Sequence, residues 1–194
     1  MSGETKRQIE HMLPVGFAFL LRYLTLWQMV LCCMAAAVYG IFISGRINRA
    51  GVREDEAARG YSVGKISYAL TVLALILIFR NRLHVAAGAW AMLSVGDAAS
   101  NLAGRAWGKK RIPWSDSKTW VGSIAFVFSS WVMSAVLVLW TAAGTGAILP
   151  GLPVVAGACL AAAVAGGVVE TLPLVVNDNV TSPLAAAFVL AAFI

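Results

Sequence analysis

The sequence predicts an all-α membrane protein, a polytopic transmembrane helical bundle of six or seven apolar segments with short cytoplasmic loops. Three observations carry this. Of 194 residues, 60% are hydrophobic and only 12% are charged, and the mean hydropathy is +0.80. The charges sit in a few gaps between long apolar runs, the pattern of several membrane spans. Abundant alanine and 18 glycines suit helices in close contact rather than a barrel, since each span must satisfy its own backbone hydrogen bonds. The length fits one membrane-embedded domain, 1–194.

The remaining composition narrows the function. A net charge of +6 does not indicate a nucleic-acid partner, because the cations cluster in two loops, as topology signals and phosphate contacts do. Cys32, Cys33 and Cys159 lie in apolar runs without a CxxC pair, and His11 and His84 are the two histidines. Neither a zinc site nor a disulfide framework is expected. The apolar run after Lys6 and Arg7 continues far past a signal-peptide core, so no cleavable leader is expected.

Along the chain, 13–43 carries Arg22 as its one charge. As one helix it would be about 46 Å long, against roughly 30 Å of hydrocarbon. It is either a tilted helix or a hairpin of 8–21 and 26–44, an N-terminal apolar unit ahead of a motif-bearing core, 60–194. The stretch 45–65 is polar and reads as a solvated loop rather than an interfacial helix. Spans follow at 66–79, 83–104, 119–142 and 148–176, with a half-span at 183–194. Loops 45–65 and 105–118 hold ten of the 15 Lys and Arg residues. Two spans separate them, so they share one face, which the positive-inside tendency makes cytoplasmic; the chain is a multi-pass integral membrane protein with its motifs on that face.

Three groups could carry chemistry. Ser94, Asp97, Asn101 and Arg105 fall on one face of a continuous helix. A carboxylate at that depth costs a few kcal/mol unless paired or metal-bound, which marks Asp97 as a site candidate. Gly104, Arg105, Gly108, Lys109, Lys110 and Arg111 then place two glycines among four cations, a combination that lets backbone approach a phosphate and neutralises it. The P-loop spacing is absent. The run 115–119, with Lys118 and Thr119, opens a helix whose N-terminus is a natural anion site. Glu170, Pro173 and Asn177-Asp178-Asn179 form the third group. Pro173 is expected to kink the segment near Glu170, and broken backbone at membrane depth is tolerated where it lines a cavity.

In GDAASNLAGRAWGK at 96–109, KTWVGS at 118–123 and ETLPLVVNDNVTSPL at 170–184, the chain resembles the polyprenol kinase family: dolichol kinase, phytol kinase and CTP-dependent diacylglycerol kinases. The resemblance spans about 60–194 and keeps the order and spacing of three motifs; the family's N-terminal Arg-Lys-x-x-His survives as Arg7 and His11. It implies phosphoryl transfer from CTP, as co-substrate, to the hydroxyl of a membrane lipid such as dolichol, polyprenol, phytol or diacylglycerol, giving CDP, with Mg²⁺ as cofactor. Phosphoryl transfer rests on positioning and charge neutralisation. Asp97 and Asp178 are then expected to hold Mg²⁺ or orient the hydroxyl. Arg105, Lys109, Lys110 and Lys118 clamp the triphosphate, with Gly104, Gly108 and Thr119 beside them. Asn101, Glu170 and Asn179 support the site, Glu170 joining Asp97 and Asp178 in the catalytic set. Two carboxylates close together repel and resist ionisation, and a shared divalent cation removes both penalties. The other readings are cytidylyl transfer to phosphatidate, making CDP-diacylglycerol, and a non-catalytic transporter or membrane subunit. Partners are a lipid and a nucleoside triphosphate, with a second copy of the chain, as a homodimer, a further candidate.

Overall fold

The computed structural model of the protein describes residues 3–44 and 54–194. Arg46, Arg49 and Arg53 of the first basic loop, and the side chains of Lys6 and Arg7, lie outside the described residues. The fold is all-α: among the described residues, the one β-type feature is an isolated bridge between Arg111 and Thr119.

The N-terminal unit contains α1 (Gly3–Met12), α2 (Val15–Ala18) and α3 (Leu26–Val38), which runs on through a π turn at Tyr39–Ile43. Residues 13–43 are thus not one straight helix. Pro14 stands at the head of α2, where its missing N–H costs nothing. Thr25 and Gln28 form a capping box that starts α3 anew, the Thr25 N–H donating to Gln28 Oε1 at 2.8 Å.

The stretch expected to be a solvated loop contains a short helix, α4 (Glu54–Arg59), ahead of α5 (Val63–Ile78). Glu56 organises this corner: its carboxylate accepts from the Ser62 hydroxyl and the Gly64 N–H, both at 3.0 Å, satisfying donors at the start of α5.

The span expected over 83–104 is in two parts. Helix α6 (Leu83–Ala91) passes through a π turn, Met92–Gly96, into α7 (Asp97–Trp107). The π turn changes the phase of the helix, so Ser94 does not share the face of Asp97 and Asn101. Ser94 is buried and donates to the Trp90 carbonyl at 3.0 Å.

Helix α8 (Trp120–Thr145), capped by Thr119, ends at Gly146, whose φ of 70° is the left-handed conformation glycine adopts cheaply. Helix α9 (Leu152–Thr171) stops before Pro173 instead of kinking around it. Leu172 is extended, with ψ at 142°, because the ring of a following proline excludes the helical conformation. Helix α10 (Asp178–Phe193) begins five residues before the expected half-span, since Asn177 caps it by accepting from the Asn179 N–H at 2.9 Å.

Among the described residues, three helical stretches are long and apolar enough to cross a membrane: Leu26–Ile43, Trp120–Thr145 and Leu152–Thr171; Val63–Ile78 and Asp178–Phe193 are shorter apolar helices. One core cluster joins Val85 and Met92 to Phe126, Val138, Val155, Ala162 and Leu190. A second packs Leu21, Met29 and Cys33 of the N-terminal unit on Val72, Ile76 and Trp90. Glycine permits close approach: a Cβ at Gly88 would lie 2.7 Å from Val138 and 2.9 Å from the Ser134 hydroxyl, so α6 lies almost against α8.

Candidate functional site

Helices α5, α7, α9 and α10 and the loop before α8 converge on a cavity of about 1430 Å³. Lys118 enters it from the residue before the α8 cap. Its ammonium donates to Glu170 Oε1 at 2.6 Å and sits 3.4 Å from Asp178 Oδ2. Glu170, in the last turn of α9, also accepts from the Ser100 hydroxyl of α7 at 3.2 Å. The side chains grade from closed to open: Glu170 is 4% exposed, Lys118 19% and Asp178 48%. Glu170 is therefore the buried counter-charge that fixes the lysine, and Asp178 is the carboxylate open to a ligand.

Burial alone would lower the pKa of Lys118. Glu170, then Asp178 and Asp97, outweigh it and raise the pKa above the ordinary lysine value. Because that shift is upward, the charged form of the lysine is present throughout the neutral range and is lost only as pH rises through the raised value. Two of the three ammonium donors are directed at carboxylates, which leaves the third, among the described residues, for a ligand.

Asp97 forms the second half of the site. Its Oδ1 accepts from the Asn101 amide at 2.9 Å, and its Oδ2 lies 3.4 Å from His11 Nε2. The π turn explains why His11 is there. The Asp97 N–H bonds the Met92 carbonyl, five residues back, so the Leu93 carbonyl loses its α-helical partner. His11 Nε2 lies 3.1 Å from that oxygen. A carbonyl can only accept, which assigns the Nε2 proton to this tautomer. Edge-on packing of His11 against Tyr68, 4.7 Å between centroids, holds the ring.

Of the residues singled out in the sequence, Asp97, Asn101, Arg105, Lys118, Glu170, Asp178 and Asn179 line this one cavity. Gly104, Gly108, Lys109, Lys110 and Thr119 do not. The 108–119 loop folds back on itself, the Ile112 N–H donating to the Lys118 carbonyl at 3.0 Å, and leaves Lys109, Lys110 and Arg111 exposed. Exposed Trp107, Trp114 and Trp120 accompany them, the aromatic and basic mixture found at headgroup level.

The two glycines serve packing. A Cβ on Gly104 would lie 3.0 Å from Thr119 Oγ1, and one on Gly108 would collide with the Gly104 carbonyl and lie 2.5 Å from Thr119 Oγ1. Thr119 is itself committed, capping α8 through the Gly122 N–H at 3.1 Å. Gly108→Ala is thus expected to displace the Lys118 loop and destabilise the protein by about 1–3 kcal/mol, seen as a lowered Tm in detergent; an unchanged Tm would show that the loop yields freely.

Sequence reasoning passed over Ser100, Glu56 and Trp114. Ser100 lies inside the first motif, three residues past Asp97, and that spacing was the available signal. Trp114 donates to Thr171 Oγ1 at 3.1 Å, tying the loop to the end of α9; nothing in the sequence pairs these two.

A helical membrane protein with a lysine held by two carboxylates in a cavity that a third, Asp97, also lines is the class the fold and site define. The comparisons with known proteins make it more particular. The chain is 31% identical over 165 residues to a probable chloroplastic phytol kinase of Triticum aestivum, covering 81% of this chain and 53% of that protein. It is 28% identical over 164 residues to probable phytol kinase 1 of Oryza sativa subsp. japonica, covering 80% and 50%. Phytol kinase 1 of Arabidopsis thaliana is 28% identical over 134 residues, covering 68% and 43%. The chain is a homologue of these phytol kinases, a group within the polyprenol kinase family. It spans about half the length of the curated relatives it matches. No family model matches the chain. No solved structure matches it significantly.

Proposed function

We propose that the protein is a lipid-alcohol kinase that transfers the terminal phosphate of CTP to the hydroxyl of a membrane lipid, releasing CDP. The observation that carries this reading is Lys118, held by Glu170 and Asp178 at 2.6 and 3.4 Å in the cavity that Asp97 also lines. The names of the homologous phytol kinases support the acceptor class, and the three motifs that resemble the family support the nucleotide.

In this reading the acceptor oxygen bonds to the terminal phosphorus as the bridging P–O bond breaks, and the hydroxyl proton passes to a carboxylate. Lys118 neutralises phosphate charge from a fixed position, so no reorganisation is needed when charge develops. Asp97, with Asn101 and His11 holding it, orients the hydroxyl. The donors suit Mg²⁺: Asp97 and Asp178 offer hard oxygens on one cavity. Among the described residues, no group of three or more acidic, histidine or cysteine side chains is arranged to hold a metal alone. Asp97 and Asp178 would therefore hold the ion together with phosphate oxygens, as Mg²⁺ sites commonly do. Bound there, it would neutralise the phosphates. The ten Lys and Arg residues of loops 45–65 and 105–118 support a site on the cytoplasmic face.

Purified protein with CTP, Mg²⁺ and phytol or diacylglycerol is expected to yield CDP and the lipid monophosphate. Release of pyrophosphate with phosphatidate would replace this reading by cytidylyl transfer. ATP serving equally well would remove the nucleotide assignment and leave the kinase.

A further inference from the structure

At about 1430 Å³, the cavity exceeds the roughly 300–1,000 Å³ of a site for one drug-sized ligand, and its ends differ in chemistry. The end described above is charged. The other is apolar and is walled by Phe17 of α2, Cys32, Ala35 and Ala36 of α3, and Ala69 and Val72 of α5. On α3, positions 32, 35, 36 and 39 recur at one-turn spacing and share a face. The neighbouring face, Met29, Cys33 and Ala37, is buried, and Met29 and Cys33 pack in the core cluster that holds Val72 and Ile76. The cavity-lining face therefore stands beside the α3–α5 contact, and its side chains at 32, 35 and 36 are exposed.

The two ends are continuous and their direction is set. Tyr39 lies at the polar end, with the Lys65 ammonium 5.4 Å from its ring centroid and Lys65 paired to Glu10 at 3.1 Å. From Tyr39 to Cys32 the face runs about 10 Å along the helix axis, away from the charged groups, at 1.5 Å per residue. His11 and Tyr68 stand where the apolar wall meets Asp97.

We propose that this apolar arm holds the hydrocarbon chain next to the acceptor hydroxyl, with the small side chains of Cys32 and Ala36 setting its bore. The proposal deepens the kinase reading and rests on it for the identity of the head group. The first part of the chain lies against α2, α3 and α5, and the remainder passes out beside exposed Phe17 and Leu13 into the bilayer. Lining by alanine and cysteine makes the arm wide. Tryptophan at either position projects a large ring across it without disturbing the buried face of α3.

The test uses the purified protein in lipid nanodiscs and two variants, Ala36→Trp and Cys32→Trp, with Phe188→Trp as a control on an exposed position outside the cavity. A twenty-carbon isoprenoid alcohol carrying a diazirine near its hydroxyl is photolysed, and the labelled peptides are identified by mass spectrometry. Label is expected on α3 and α5, with at least a tenfold loss in one or both bore variants and none in the control. Their KM for the same alcohol is expected to rise at least tenfold, while that for the nucleotide stays within about twofold. Label on α3 and α5 with no phosphorylation by the parent protein would keep the arm and overturn the kinase reading. Undiminished labelling in both folded bore variants, or label spread over outward faces alone, would overturn the arm.

Discussion

Lys118→Met is expected to lower turnover by about 10²–10³-fold, the usual cost of removing one fixed charge-stabilising donor. The same change leaves Glu170 buried without its partner at 2.6 Å. Breaking a buried pair from one side costs about 3–5 kcal/mol, so a loss of activity alone does not separate chemistry from folding. The double variant Lys118→Met/Glu170→Gln does. It removes the orphaned charge while Ser100 can still donate to the remaining amide oxygen, so most of the Tm is expected to return. Turnover is expected to stay low. Recovery of both together would make Lys118 a structural ion-pair partner only. Lys118→Arg adds a geometric test, since a planar guanidinium cannot reproduce a point charge placed between two carboxylates; its turnover is expected to fall between the parent and the methionine variant. Lys109→Ala, by contrast, lies outside the cavity and is expected to stay within about fivefold.

Much of the fold was legible in the sequence. Hydropathy separated the apolar segments, and the helix expected to open within 115–119 does so at Thr119, whose side chain caps α8. Pro173 was legible as a break, and the excluded conformation at Leu172 turned the break into a helix end. The π turn at Met92–Gly96 was not legible, because it changes hydrogen-bond register without a residue of its own to mark it. That turn takes Ser94 off the Asp97 face and presents the Leu93 carbonyl to His11, so the His11–Asp97 contact was out of reach too. Within the second motif group, composition could not rank Lys118 above Lys109 and Lys110. All are lysines of one loop. The rank is set by the loop's fold-back, which aims Lys118 inward at Glu170 and leaves the other two exposed outside the cavity.

Asp97→Asn and Asp178→Asn are each expected to abolish measurable turnover in protein that remains folded. An asparagine at 97 still offers an oxygen to the Asn101 amide, whose present bond is 2.9 Å, and His11 keeps the Leu93 carbonyl. An asparagine at 178 sits comfortably in the first turn of a helix. What each variant loses is a negative charge that would draw a divalent cation to the phosphates and steady the acceptor hydroxyl. Tm is therefore expected to change by only a few degrees. Stabilisation of the parent by Mg²⁺ and CTP together is expected to disappear in both variants, because a ligand stabilises the folded state only where its concentration reaches its dissociation constant.

The most direct measurement is transfer of label from γ-labelled CTP to phytol in nanodiscs, by the parent, Asp97→Asn and Asp178→Asn at equal folded concentration. Labelled lipid monophosphate from the parent, with a loss of at least a hundredfold in each variant, is the predicted result. Near-parental transfer by folded Asp97→Asn would contradict the account, making Asp97 a structural charge and placing the chemistry elsewhere.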